Sequence, residues 1–243
     1  MADVSRETPP GVDPGVLAAL VPEGRRALLE QYAALLAAEG VRRGLIGPRE
    51  VPRLWDRHLV NCALLGPLLP ADAAVADLGS GAGLPGLVLA IVRPDCAVTL
   101  IEPMARRTTF LEEAAGALGL DRVEVVRGRA EDWSRPERFD VVTARALAPL
   151  PRLLRWGLPL VEPGGALLAM KGSSAADEIA AAAPELAAAG ASAEVLHPRV
   201  EGASPTTVVR VVPRTRTAIG WPADTVPARP ARTRPRPGRK GPR

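Results

Sequence analysis

Apolar residues recur at helical spacing from Pro14 to Glu39: Val16, Leu17 and Leu20 come first, then Leu28, Leu29, Tyr32, Leu35 and Leu36. The i, i+3, i+4 rhythm predicts amphipathic helix, with Pro22-Glu23-Gly24 as an interruption. A second helical pattern from Pro48 to Leu69 carries Val51, Leu54, Trp55, His58, Leu59, Cys62 and Leu65 on one broad face. Together these predict an N-terminal helical cap. After Pro70 the rhythm changes to short apolar runs at Ala73–Leu78, Ala97–Glu102, Val123–Arg127, Phe139–Ala144 and Ala166–Lys171, with amphipathic stretches between most of them. Strands separated by helices predict right-handed crossovers and a parallel, doubly wound sheet. The last two runs, Glu194–His197 and Thr206–Val212, are joined by a short link containing Pro and Gly. They are expected to pair antiparallel as an edge hairpin, which completes a mostly parallel seven-stranded α/β sheet.

Composition narrows what such a sheet can do. A chain of 243 residues, 47% hydrophobic, has enough apolar surface for one substantial core, and one catalytic domain is the expectation. Aromatic residues make up 3%, so platforms for stacking single-stranded nucleic acid are scarce and any contact with nucleic acid must rely on Arg and Lys. Cys62 and Cys96 stand far apart, without the spacing of a zinc site or a disulfide framework, and metal ligands cluster nowhere. No leader pattern and no apolar run of membrane-spanning length is present, so a cytoplasmic, unexported protein is expected, most simply a monomer.

The net charge of +4 conceals an asymmetry, because residues 213–243 hold nine of the 31 Lys and Arg but one of the 27 acids. That Pro- and Arg-rich segment has almost no large apolar residue after Trp221 and is expected to be a disordered basic tail. Such an arm attracts any polyanion, and it also reads as a solubilising extension. The expected organisation is a flexible 1–13, a catalytic domain over 14–212 divided into helices 14–69 and a core 70–212, and the tail.

The chemistry concentrates in Val75-Ala76-Asp77-Leu78-Gly79-Ser80-Gly81-Ala82-Gly83-Leu84-Pro85-Gly86, where an apolar strand meets a helix through a glycine-rich loop. Glycines permit a tight turn and close approach of a ligand to free backbone amides. Gly81, Gly83 and Gly86 match the dinucleotide fingerprint, yet Asp77 closes the strand beside the loop, where a carboxylate would repel a pyrophosphate. The sulfonium and ammonium groups of S-adenosylmethionine suit that acid better. The loop therefore favours S-adenosylmethionine over NAD, with Asp77, Gly79, Gly81 and Gly83 around it.

Ligands of an open α/β sheet sit beyond the carboxyl ends of its strands. Glu102 closes the second strand, where a carboxylate can accept from both hydroxyls of a ribose. Ala130, Glu131 and Asp132 follow the third strand, where an amide and an acid can meet an adenine edge or cap a short helix. The fourth strand runs into Thr143-Ala144-Arg145-Ala146 and lacks the Asn/Asp-Pro-Pro-aromatic tetrad that aligns an exocyclic amine. Neither cysteine lies at a strand end after the loop, which argues against covalent attack on a pyrimidine. A ring nitrogen such as guanine N7, already nucleophilic and needing no general base, remains. Arg145 can clamp a methionine carboxylate, contact guanine O6 and N7, or pair with a neighbouring acid. Lys171 offers a second cation for RNA, or a snorkelling strand-end lysine, and Arg57 on the leading helix is assigned to RNA. His58, on a mostly apolar face, reads first as a structural histidine, and His197 has no evident partner.

Arg57-His58-Leu59, the loop ending Gly83-Leu84-Pro85-Gly86, Ile91-Val92-Arg93-Pro94, Arg106-Arg107 with Phe110-Leu111, Ala130-Glu131, Arg145-Ala146 and Lys171-Gly172 are closely similar to motifs of one family. Over residues 14–212 the chain resembles the bacterial small-subunit rRNA (guanine-N7) methyltransferases, known as RsmG or GidB. The resemblance implies a class-I S-adenosylmethionine-dependent methyltransferase fold, and methylation of N7 of one guanine in 16S rRNA within the small ribosomal subunit. Cofactor contacts are implied at Gly79, Leu84, Ala130, Glu131 and Arg145, and further family sites at Lys171 and Arg210. Gly44-Leu45-Ile46 and Asn61-Cys62 depart from the commoner Asn-Leu-Thr and Asp-Ser and resemble high-GC actinobacterial members. A methyltransferase of a small molecule or a protein is the alternative class.

Overall fold

The computed structural model describes residues 12–133, 135 and 138–214. The expected flexible N-terminus and basic tail lie, except for Val12, Asp13, Pro213 and Arg214, outside the described residues. Seven strands form one sheet in the order β3-β2-β1-β4-β5-β7-β6. These are β1 (Ala74–Leu78), β2 (Ala97–Glu102), β3 (Val123–Arg127), β4 (Phe139–Arg145), β5 (Val161–Lys171), β6 (Ala191–Leu196) and β7 (Thr207–Pro213). The first five pair in parallel, and β7 runs antiparallel to both β5 and β6. The edge hairpin is as expected, although β6 starts three residues before Glu194, on alternating small residues too weakly apolar to register as a strand.

Strand alternation sends successive side chains to opposite faces, so the sheet carries two apolar layers. Val75, Val98, Leu100, Val141, Leu168 and Val208 face one layer. Ala76, Leu78, Val142, Leu167, Val209 and Val211 face the other. The first layer packs against α1 (Pro14–Leu20), α2 (Arg26–Leu35), α3 (Asn61–Ala63), α4 (Gly86–Val92) and α5 (Ala105–Ala117). The second packs against α6 (Leu150–Gly157), α7 (Ala175–Ala181) and α8 (Ala183–Ala188). All seven residues of α4 are buried. An entirely apolar helix can persist only where protein covers it on every side, and the N-terminal cap supplies that cover here.

The continuous helix expected over Pro48–Leu69 is instead a chain of short turns. A 3-10 turn (Pro48–Arg53), a π-helical turn (Leu54–Val60), α3 and a second 3-10 turn (Gly66–Leu68) follow one another. Pro52 and Pro67 lack the N–H an α-helix needs and crowd the preceding turn, so the apolar face is kept while the regular ladder is broken.

Arg93, directly after α4, fastens this cap to the core. It pairs with Asp95 at 2.6 Å and donates to the carbonyl oxygens of Gly66, Leu69 and Pro70 at 2.6–2.8 Å. The ion pair holds the Asp95 carboxyl far below the usual range. Arg93→Ala leaves those carbonyls without their donor and is expected to cost about 2–4 kcal/mol, read as the shift in a urea unfolding curve.

Candidate active site

The strand order reverses between β1 and β4, and at such a switch point the loops leaving two neighbouring strands diverge and open a crevice. One wall is the glycine loop after β1, in which Gly79, Gly81 and Gly83 have φ of 66°, 58° and 93°. A side chain would be strained at each of these positions. Gly79 and Ser80 donate their N–H groups to Ile101 O, Ser80 Oγ donates to Asp77 O, and Gly83 N–H donates to Ser80 O. Tyr32 on α2 donates its hydroxyl to Ala82 O at 2.7 Å, and that hydroxyl lies 2.8 Å from where a Gly83 side chain would begin. The helical cap thus pins the tip of the loop. Tyr32→Phe removes the donor from a buried carbonyl and is expected to cost about 1–3 kcal/mol, measured as a fall in thermal midpoint.

Asp77 lies beneath this loop and is fully buried. Its Oδ2 accepts from Gly86 N–H at 3.0 Å, while Oδ1 has no hydrogen-bond partner. Burial pushes its pKa up to about 7, and the Glu102 charge adds to the rise. Glu102, also buried, accepts from Gly81 N–H and Met104 N–H at 3.0 Å each and from Arg107 at 3.4 Å. It therefore links the ends of β1 and β2 through the glycine loop. The 3-10 turn Ala130–Asp132 follows β3, with Ala130 buried and Glu131 exposed 3.7 Å from Arg129.

The facing wall is the loop leaving β4. A cleft of about 1010 Å³ lies against it, lined by Arg57, Asn61, Arg145, Lys171, Thr206 and the segment 146–149, among others, but by no residue of the glycine loop. Ala146 turns the chain with φ of 50°, and the exposed Leu147 side chain reaches back over Gly79. Arg145 crosses to the cap, where Nη2 donates to His58 Nδ1 at 2.5 Å and to Arg57 O at 3.4 Å, and Nη1 donates to Cys62 Sγ at 3.5 Å. His58 Nε2 in turn lies 2.8 Å from Glu50 Oε2. Burial lowers the His58 pKa, and burial likewise raises that of Cys62 to about 11. Cys62 is therefore an inert thiol.

Lys171 lines the same cleft, but its ammonium is engaged, donating to Glu178 Oε2 at 2.7 Å and Ala148 O at 2.8 Å. Glu178 also accepts from Leu150 N–H at 2.8 Å, so the pair ties the 146–149 loop and the start of α6 to the end of β5. Arg210 lies elsewhere. It pairs with Glu194 across the edge hairpin at 3.1 Å and does not line the cleft. His197 Nδ1 lies 3.4 Å from the Thr207 hydroxyl. Among the described residues no His, Cys, Asp and Glu cluster could hold a metal, and no helix is long and apolar enough to cross a membrane.

Comparison with known proteins places the chain in a family. The family model GidB, described as rRNA small subunit methyltransferase G, matches residues 25–204. The chain belongs to the GidB family. A Nocardioides relative named "Ribosomal RNA small subunit methyltransferase G" is 61% identical over 222 residues, 90% of this chain and 88% of the relative. A Thermobifida fusca protein of the same name is 54% identical, covering 86% of this chain and 87% of its own. Among solved structures, an O-methyltransferase from Bacillus cereus in complex with SAH covers 81% of this chain and 94% of its own. Its TM-score is 0.55 at 19% identity, a likeness of fold. The GidB chain thus has the class-I methyltransferase architecture.

Three members of this candidate site carried no chemical motif in the sequence. Tyr32 reads as one more apolar position on α2, and its being the one tyrosine of the chain was the available signal. Glu50 and Leu147 had none, because their roles come from what the turns 48–53 and 146–149 place beside them.

Proposed function

We propose that this chain is an S-adenosylmethionine-dependent methyltransferase that methylates N7 of a guanine in 16S rRNA of the small ribosomal subunit. The observation that carries the reading is the meeting of two walls at the switch point, Asp77 under its glycine loop and Arg145 on the opposite strand end, in a chain of the GidB family. The residues fit the cofactor. The orphaned Oδ1 of Asp77 lacks a donor that an ammonium or its bound water would supply, and Gly81 leaves open space above the loop except for Gly79 O at 3.7 Å.

In this reading Asp77, Gly79, Gly81, Gly83 and Leu84 hold the methionine end of the cofactor, while Glu102, Ala130 and Glu131 hold the adenosine. Glu102 reaches a ribose by sharing oxygens that already accept from Gly81 and Met104, so it arrives oriented. When bound, the cofactor supplies an electrophilic methyl group on a sulfonium, which the in-plane lone pair of guanine N7 accepts without a general base. The acceptor base enters the cleft at Arg57 and Arg145. Lys171 acts by holding the 146–149 loop, and acceleration comes from positioning and exclusion of water.

Asp77 makes binding pH-dependent. An acid raised above its unfolded value stabilises the free protein below the unfolded pKa, and that contribution is lost as pH rises through about 7. A cationic ligand favours the carboxylate, so cofactor affinity is expected to rise with pH up to about 7 and then level, with proton release on binding below that point. Calorimetry in two buffers of different ionisation enthalpy measures the release; no proton exchange at pH 6 would remove Asp77 from the cofactor site. The function itself is tested by incubating undermethylated small subunits with labelled cofactor, digesting the RNA to nucleosides and separating them. Label in 7-methylguanosine is expected, and label in any other nucleoside overturns the reading.

A further inference from the structure

We propose that His58, backed by Glu50, is a positioning residue that orients the Arg145 guanidinium for the acceptor cleft. The proposal rests on the reading of Arg145 as a site residue, and on a chain of two contacts, Glu50 to His58 and His58 to Arg145, that crosses from the cap to the end of β4. A guanidinium only donates, so the Nδ1 that receives Arg145 Nη2 at 2.5 Å must present a lone pair. The single ring proton then sits on Nε2 and is donated to Glu50 Oε2 at 2.8 Å. Neighbours thereby define both the tautomer and the ring plane, as a carboxylate does for a metal-bound histidine.

Counting donors shows what this leaves for a ligand. Of the five N–H groups of Arg145, one goes to His58, one to Arg57 O and one to Cys62 Sγ. Nε–H and the second Nη1–H have no partner among the described residues, on a side chain that lines the cleft. The fork is half fixed by protein and half open to an acceptor such as guanine O6 or a carboxylate. His58 and Glu50 touch neither, so they act through Arg145.

The charged groups facing His58 are Glu50, Arg57 and Arg145, and burial together with the two arginines outweighs the carboxylate in holding it neutral. Protonation would remove the Nδ1 lone pair and set a cation against the guanidinium, releasing Arg145. For a histidine held below its ordinary pKa, the contribution is complete above the unfolded value and is lost as pH falls through the lowered one.

Three variants separate the two ring nitrogens. H58N keeps an acceptor near the Nδ1 position and drops the Glu50 link; H58Q reaches Glu50 but loses Nδ1; H58L loses both. Expected are a fall on the order of tenfold in kcat/KM for H58Q and H58L, retention within about threefold for H58N, and an acidic limb present in the parent but flattened in H58N. Wild-type kcat/KM and an unchanged acidic limb in H58L would overturn the proposal, as would H58N falling as far as H58L. Nitrogen-15 NMR of the parent protein supplies a test independent of turnover, with His58 expected to be protonated at Nε2 and bare at Nδ1. The opposite tautomer overturns the proposal even in an active enzyme, whereas the expected tautomer in a protein that methylates no rRNA overturns the functional reading instead.

Discussion

Replacing Gly86 by alanine is expected to abolish S-adenosylmethionine binding and to lower stability by about 2–5 kcal/mol. A Cβ at this position would collide with the Leu100 side chain and lie 2.7 Å from Asp77 Oδ2 and 3.0 Å from Asp77 Cβ. Both neighbours are buried strand residues with nowhere to move. Relief requires α4 to back away from the sheet, which withdraws the Gly86 N–H from Asp77 and leaves both carboxyl oxygens unpartnered. Gly81→Ala is milder, since it meets no side chain and carries only the strain of a φ of 58°, about 1–2 kcal/mol. Gly116→Ala, in the exposed last turn of α5 with no atom nearby, should stabilise by about 0.5 kcal/mol or less, because helix ends realise only part of the mid-helix difference between Gly and Ala. Thermal unfolding with and without cofactor measures all three, and a Gly86→Ala protein that still binds cofactor would show that the Asp77–Gly86 contact does not shape the site.

Arg145→Ala is expected to lower kcat/KM for methyl transfer a hundredfold or more, on the scale of removing a charged contact from a water-poor site. The loss is local. Three hydrogen bonds disappear and His58 Nδ1 is orphaned, yet β4 keeps its register with β1 and β5 through backbone bonds alone. Arg145→Lys is expected to recover little, because an ammonium cannot serve His58, Arg57 O and a ligand in one plane. Steady-state kinetics on small subunits measures this, and near-parental turnover of Arg145→Ala would remove it from the site.

The sheet was legible because its strands are short apolar runs with residues such as Val75 and Ala76 committed to opposite faces. The edge hairpin was legible from a link too short for a crossover. The segment 48–69 was not, since an apolar stripe survives the change from α-helix to 3-10 and π turns, and only Pro52 and Pro67 hinted at the break. In the site, Asp77 and Arg145 were legible as strand-end charges beside a glycine loop. The engagement of Lys171 by Glu178 and the Arg210–Glu194 pair were not, because both partnerships depend on strand and helix placement that spacing along the chain does not reveal. His58 shows the same limit from the other side. Its apolar face is real, but the two ring nitrogens find their partners on segments 8 and 87 residues away.

The central claim is tested most directly by transferring labelled methyl from S-adenosylmethionine to small ribosomal subunits that lack base modification, followed by borohydride reduction and aniline treatment, which together cut RNA at 7-methylguanine. A single new cut in 16S rRNA, dependent on this protein and lost in Arg145→Ala, is the predicted result. Methyl transfer with no cut, or cuts spread over many guanines, would contradict it.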